Sequence, residues 1–256
     1  LKKIHKSQPP NKLTQYAQNH PKNDWDNDFR NDPDYKIIKE LIFKEQGGLC
    51  AFCETKVIQI DKQRVEHFHP KSDAANPHHN WALDWANVIG VCLGGSDVDK
   101  SIHPLPANLS CDAYKDHLIV KKKLPIICEG HLLNPLELFA FSNLFELNKR
   151  TGELKPKADY SGIEIENNQY STTTELVKKT IEHLNLNCDR LNQQRLAVLN
   201  EYERVIKIAR NQNDRDIFSK LSKHWLQTKW RSFFTTRRIL LGQHAENYLQ
   251  SIHYSG

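Results

Sequence analysis

Cys50-Ala51-Phe52-Cys53 ties two thiols into one short loop, and two more cysteines, Cys92 and Cys111, follow in turn-rich stretches. A tetrahedral structural zinc site is closed by two such half-sites, so the pair reads as a knuckle waiting for its partner. A redox pair would want a βαβ setting. Here the pair instead follows the loop Gln46-Gly47-Gly48-Leu49 and precedes a β-like run from Lys56 to Ile60. The basic start, Leu1 to Lys6, carries no apolar signal-peptide region, so reduced thiols and a cytoplasmic protein are expected. Cys128, in an apolar run, and Cys188, among helical leucines, read as buried thiols outside the site.

The 256 residues are 38% hydrophobic and 26% charged, enough for one or two domains with a real core. No apolar run approaches the ~18 residues of a membrane span. Residues 1–35 are polar and read as an extended arm; Tyr35 to Gln46 has helical periodicity and is stopped by Gly47-Gly48. Short apolar runs and turns over 124–170 predict a small β element. Thr172-x-x-Glu175 is a capping-box signature that opens a helical C-terminal third. A break is expected at Asn185 to Asn187, and Asp214 is expected to cap a later helix.

The chemistry concentrates in Val65-Glu66-His67-Phe68-His69-Pro70-Lys71, a strand ended by proline. An acid followed directly by a histidine sets metal-binding and base chemistry side by side. Trp85-Ala86-Asn87 leads to Cys92, and Cys111-Asp112-Ala113-Tyr114-Lys115 opens a helix. The ordered set C-x-x-C, E-H-x-x-P, W-x-N-x-x-x-x-C, C-D-x-x-K resembles the zinc-stapled HNH endonucleases. Two residues separate the third and fourth cysteines in that family; here 18 do, from Leu93 to Ser110. Lys3-x-x-Lys6 with Pro9-Pro10, Leu133-Asn134-Pro135-Leu136, and Thr180 to Asn187 extend the likeness to PtuB-type HNH proteins of Septu and retron antiphage defence systems.

The resemblance implies an α+β fold. Its centre would be a ββα-metal (HNH, His-Me finger) core with a structural four-cysteine zinc site of Cys50, Cys53, Cys92 and Cys111, embedded in a mainly helical protein. It implies a nuclease with His67, Asn87 and Asp112 as catalytic residues. Glu66, His67 and Asp112 would surround a catalytic Mg²⁺ or Mn²⁺, and Lys71 and Lys115 would contact phosphate. His67 would be the base, Asn87 would fix the loop that orients it, and zinc would be structural. His69 is an alternative ligand.

Partners implied are nucleic acid (DNA or RNA, tRNA included), a PtuA-like ABC/SMC-type ATPase and, through it, a retron reverse transcriptase with its msDNA. The resulting division is an N-terminal arm and helix for docking (1–46), the nuclease core (47–123), a small β/loop element (124–170) and a helical region with a basic face (171–256).

The net charge of +5 has a location. Between Asp216 and Glu246 no acid occurs, but Lys220, Lys223, Lys229, Arg231, Arg237 and Arg238 do. Trp225, Trp230, Phe233 and Phe234 are interleaved, with the spacing of core residues. Lys229, Arg231, Arg237 and Arg238, with Lys121 and Lys122 of a second basic cluster, are therefore expected to track a nucleic-acid backbone. The competing reading is a non-catalytic zinc-stapled adaptor or nucleic-acid-binding subunit. A zinc deaminase is disfavoured, because its H-x-E…P-C-x-x-C order is not present.

Overall fold

The computed structural model describes residues 1–141, 143–158, 163–227 and 230–256. Among them are eight α-helices and four short strands. The strands form two separate antiparallel pairs, and one pair carries the acid–histidine sequence.

That pair is β1 (Arg64–His67) against β2 (Val88–Val91), in a register that sets His67 opposite Val88 and Glu66 opposite Ile89. Every residue of β2 is buried, whereas β1 exposes Arg64 and half-buries Val65 and Glu66. The pair therefore presents one working face. α2 (Tyr35–Glu45) packs on β2 with Ile38, Ile42 and Phe43 on its buried side, the spacing of a single apolar stripe. It stops at Gly47-Gly48, where Gly48 N–H donates to the Phe43 carbonyl at 2.7 Å. α3 (Cys111–Val120) follows the strand pair in sequence and supplies the other wall of the site.

Two sequence expectations change. The N-terminal arm is not extended: it folds into α1 (Asn11–Asn19) and a 3-10 turn (Phe29–Asn31). Leu13, Trp25 and Phe29 enter one cluster with Ile38, Ile42, Leu83, Trp85 and Val88, and Leu1 and Ile4 enter the larger core. Their irregular spacing gives no periodic signal, but each finds a core. The run from Lys56 to Ile60 is not a strand. Only Lys56 bridges, to Leu49, and Ile58 is 78% exposed with no neighbouring strand to cover it.

β3 (Phe145–Leu147) and β4 (Leu154–Pro156) make the small hairpin expected between 124 and 170. α4 (Thr173–His183) opens with the Thr172 hydroxyl accepting the Glu175 N–H at 3.1 Å. The break falls at Asn185–Asn187, and α5 (Asp189–Asn211) follows. α6 (Ile217–Leu226) begins after Asp216, two residues later than the cap expected at Asp214; the Asp214 carboxylate accepts the Asp216 N–H instead. α7 (Phe234–Leu241) and α8 (Gln243–Ser251) complete the chain. No helix among the described residues is long and apolar enough to cross a membrane.

Candidate active site and cysteine cluster

The four cysteines expected to meet do meet. Their sulfurs all lie within 4.8 Å of one another, with Cys50–Cys111 at 3.8 Å, Cys53–Cys92 at 3.7 Å and Cys92–Cys111 at 3.9 Å. Four sulfurs at about 2.3 Å from one centre form a tetrahedron with edges near 3.8 Å. The spacing therefore fits a metal site of four thiolates, and its near-complete burial leaves no open position for a substrate. Burial drives the Cys50 and Cys111 thiols well above their ordinary range, while hydrogen bonds from the other three cysteines, Cys111 foremost, hold Cys53 well below it. Cys128 and Cys188 are buried elsewhere.

The long insertion between Cys92 and Cys111 is pinched shut at its base. Ser110 N–H donates to the Gly94 carbonyl at 2.8 Å. Gly94 has φ +64, and a Cβ there would meet the Ser110 carbonyl at 2.4 Å, so only glycine fits. The Asn185 side chain donates to the Ala107 and Leu109 carbonyls, and Cys111 N–H donates to the Leu184 carbonyl at 2.8 Å. Held ends make the insertion's length cheap. On the opposite side of the cluster, Glu54 follows the knuckle with φ +63. Its carboxylate accepts the Thr235 N–H at 2.7 Å and its carbonyl accepts the Phe233 N–H at 2.8 Å, which docks the start of α7 on the knuckle.

His67 ends β1, 8% exposed, with Nε2 3.0 Å from the Ala82 carbonyl. A carbonyl only accepts, so Nε2 carries the proton and the ring's lone pair sits on Nδ1. Burial drives the imidazole's pKa down to about 4, so the ring is neutral at physiological pH. Asn87 closes the loop behind it. Its amide donates to the His69 and Trp81 carbonyls at 3.0 Å each, and its oxygen accepts the His69 N–H at 2.7 Å. His69 points away, its ring nitrogens facing Glu129 at 2.6 Å and Asp73 at 2.8 Å. With both nitrogens committed, it is not an alternative metal ligand.

Glu66 on β1 and Asp112 on α3 converge. Lys115 bonds the Glu66 carboxylate and stands 3.3 Å from Asp112 Oδ1, and Arg64 reaches Asp112 Oδ2 at 3.4 Å. Burial first, then the Asp112 charge, push Glu66 up to about 8 against the pull of Lys115. For Lys115 the pull of the two acids outweighs burial and raises it above its usual range. Asp112 Oδ1 is buried and makes no hydrogen bond beyond its ion pair with Lys115. Two carboxylates from different elements with their oxygens this close fit a hard divalent cation. Glu66, Lys115 and His67 border a cleft of about 500 Å³, shared with Trp25, Asp26, Arg30 and Tyr35 of the N-terminal segment and Lys71 beyond β1, and Asp112 adjoins it through Lys115.

The basic residues divide. Lys121 and Lys122 are exposed just past α3. Lys71 is exposed and paired with Asp26. Lys115 was expected to face phosphate, but it is buried inside the acid pair. Arg237 and Arg238 are corrections as well. Each is 6% exposed; Arg237 lies over the Trp225 ring and bonds Glu201, and Arg238 forks onto Glu246 with two 2.6 Å bonds. Arg231 is exposed and sits between His224 and Glu201. Lys229 lies outside the described residues. Arg237 and Arg238 are thus neutralised by carboxylates from α5 and α8, and Trp225, Phe233 and Phe234 are core.

Three contributors were missed by sequence reasoning: the Ala82 carbonyl, Arg64, and Trp25, whose ring stands edge-on to His67 at 5.1 Å. Arg64 could have been found as a cation two residues before Glu66 on the same strand face. Nothing local marks Trp25.

No family model matches the sequence. The chain is 38% identical over 251 residues to a protein of Escherichia coli named as the HNH endonuclease of retron Ec83, spanning 94% of both chains. It is also 28% identical over 88 residues to one of Vibrio cholerae serotype O1 biovar El Tor named as the HNH endonuclease of retron Vc95, covering 31% of this chain and 42% of that protein.

Proposed function

From the premise that this chain belongs to the HNH endonucleases of retrons, we propose that it hydrolyses phosphodiester bonds of nucleic acid in the cleft bounded by β1, α3 and the N-terminal segment. One observation carries this reading: Glu66, joined to Asp112 through Lys115, lines the same cleft as a neutral His67 whose Nε2 is committed to a backbone carbonyl. The strand pair and α3 are read as a ββα-metal core within residues 47–123.

His67 acts as the general base. Its Nδ1 lone pair takes the proton from the attacking water, and Ala82 holds the ring in the tautomer that leaves that nitrogen free. Asn87 keeps the loop after β1 in one shape, so the ring's backbone does not drift. Glu66 and Asp112 would hold Mg²⁺ or Mn²⁺, which when bound supplies stabilisation of the charge that develops on phosphate and leaving oxygen. Lys71, Lys121 and Lys122 are the exposed cations assigned to the substrate backbone. Zinc in the four-cysteine cluster is structural, because all four positions are taken by protein sulfur.

The protein works in the cytoplasm as the nuclease of an antiphage system, with a PtuA-like ATPase and a retron reverse transcriptase with its msDNA. The support is the whole-chain likeness to a retron protein together with the PtuB-like motifs. The outer face of residues 1–46 serves docking, since the inner face is already taken by the core. The test is His67→Ala with duplex DNA, single-stranded DNA and total RNA in Mg²⁺ or Mn²⁺. The variant should keep its zinc and fold and lose cleavage; undiminished cleavage would leave only an adaptor.

A further inference from the structure

The N-terminal segment reaches the reacting histidine itself. Trp25 is 2% exposed and borders the cleft, and its ring meets the His67 imidazole at 5.1 Å and 80°. Behind it Phe29 lies tilted at 5.0 Å and Tyr35 stands edge-on at 5.9 Å, which hems the indole in. The neighbouring Asp26 pairs with Lys71, which fastens the segment across the end of the histidine loop.

A single hydrogen bond from Nε2 leaves an imidazole free to tilt, and water reaching that bond can exchange it. Once exchanged, the proton can move to Nδ1, and a ring protonated there has no lone pair to offer the cleft. An aromatic wall perpendicular to the ring opposes both the tilt and the water. Leu13 belongs to the same cluster and is 1% exposed, yet it does not line the cleft.

We propose that Trp25 is a positioning residue for the hydrolytic base: the indole of the N-terminal segment holds the His67 ring so that Nε2–H stays on Ala82 and Nδ1 faces the cleft. The proposal rests on the reading of His67 as the base. It makes the N-terminal segment part of the active site rather than an appendage to it.

The experiment uses the full zinc-loaded chain with Trp25→Phe, Trp25→Leu, Leu13→Ala and His67→Ala, assayed well below every variant's melting temperature. Trp25→Met replaces Trp25→Leu should the latter not fold. Long-range ¹H–¹⁵N spectra report the His67 tautomer without reference to turnover. Trp25→Leu should blur the single Nε2–H tautomer and lower kcat about 30-fold, a part of what a general base contributes, with KM little changed. Trp25→Phe should restore both, and Leu13→Ala should leave both near wild type. A single tautomer and full kcat in Trp25→Leu would overturn the proposal, as would an equal loss in Leu13→Ala. Full cleavage by His67→Ala would overturn the base reading on which it stands, whatever the tautomer does.

Discussion

The cleft and the C-terminal helices both bury charge, but they do so in opposite ways. In α7 each buried guanidinium faces a carboxylate: Arg238 on Glu246, Arg237 on Glu201. At the cleft two carboxylates share one ammonium: Lys115 meets Glu66 and Asp112 Oδ1, with Arg64 on Asp112 Oδ2. Opposite charges at close range settle a structure. Like charges at close range persist only where something else needs them. What marks the functional region is the sign of the neighbours, not the density of charge.

The largest effect should come from the element both regions lean on. Cys111→Ser, or a strong chelator, should cost most of the ~10 kcal/mol typical of a structural zinc site and lower the melting transitions of core and helices together. If calorimetry shows the helices melting unchanged, the α7–knuckle docking through Glu54 does not couple them. Asp112→Asn should reduce cleavage by about 10³-fold, of the order lost with one key electrostatic group, yet leave the melting temperature level or raised because like-charge repulsion is relieved.

Glu246→Gln should do the reverse: about 2–3 kcal/mol of stability lost from an unpaired buried Arg238, measured by urea unfolding, with cleavage intact below the transition. Were both variants to lose stability alike, the contrast between the regions would fall. The pH dependence sharpens it further. The His67 imidazole is held down to about 4 by burial, whereas the unfolded chain takes up that proton near 6.5. Acidification from 6.5 to 4 therefore favours unfolding, by about 3 kcal/mol at most from this residue. His67→Gln should flatten that part of the stability profile, followed by urea midpoints at successive pH values. The smallest effect, within about 0.5 kcal/mol, is expected of the surface variant Arg231→Ala.

Much of this contrast could be read along the chain and some could not. The knuckle, β1, the start of α3 and the Thr172 cap are local patterns, and each stands where its spacing put it. The four cysteines could be grouped because metal chemistry limits what a buried quartet can be. The fate of Arg237 and Arg238 was hidden, because their carboxylates lie outside the window whose charge was counted. Trp25 was hidden for the same reason at greater range: the strap joins the site through tertiary contacts that leave no periodicity in its own sequence. The strand expected at 56–60 failed because alternation alone supplies no partner to pair with.

The bond from Cys111 to the Leu184 carbonyl and the docking of Phe233 and Thr235 on Glu54 bear on synthesis as well. A ribosome releases the knuckle and the histidine strand early, but the groups that brace them only after α4 and then α7 have emerged. Contacts so far apart in sequence form late. The cysteine cluster is therefore fully braced only near the end of translation, and a nascent chain cut short would hold its four thiols without the contacts that fix them.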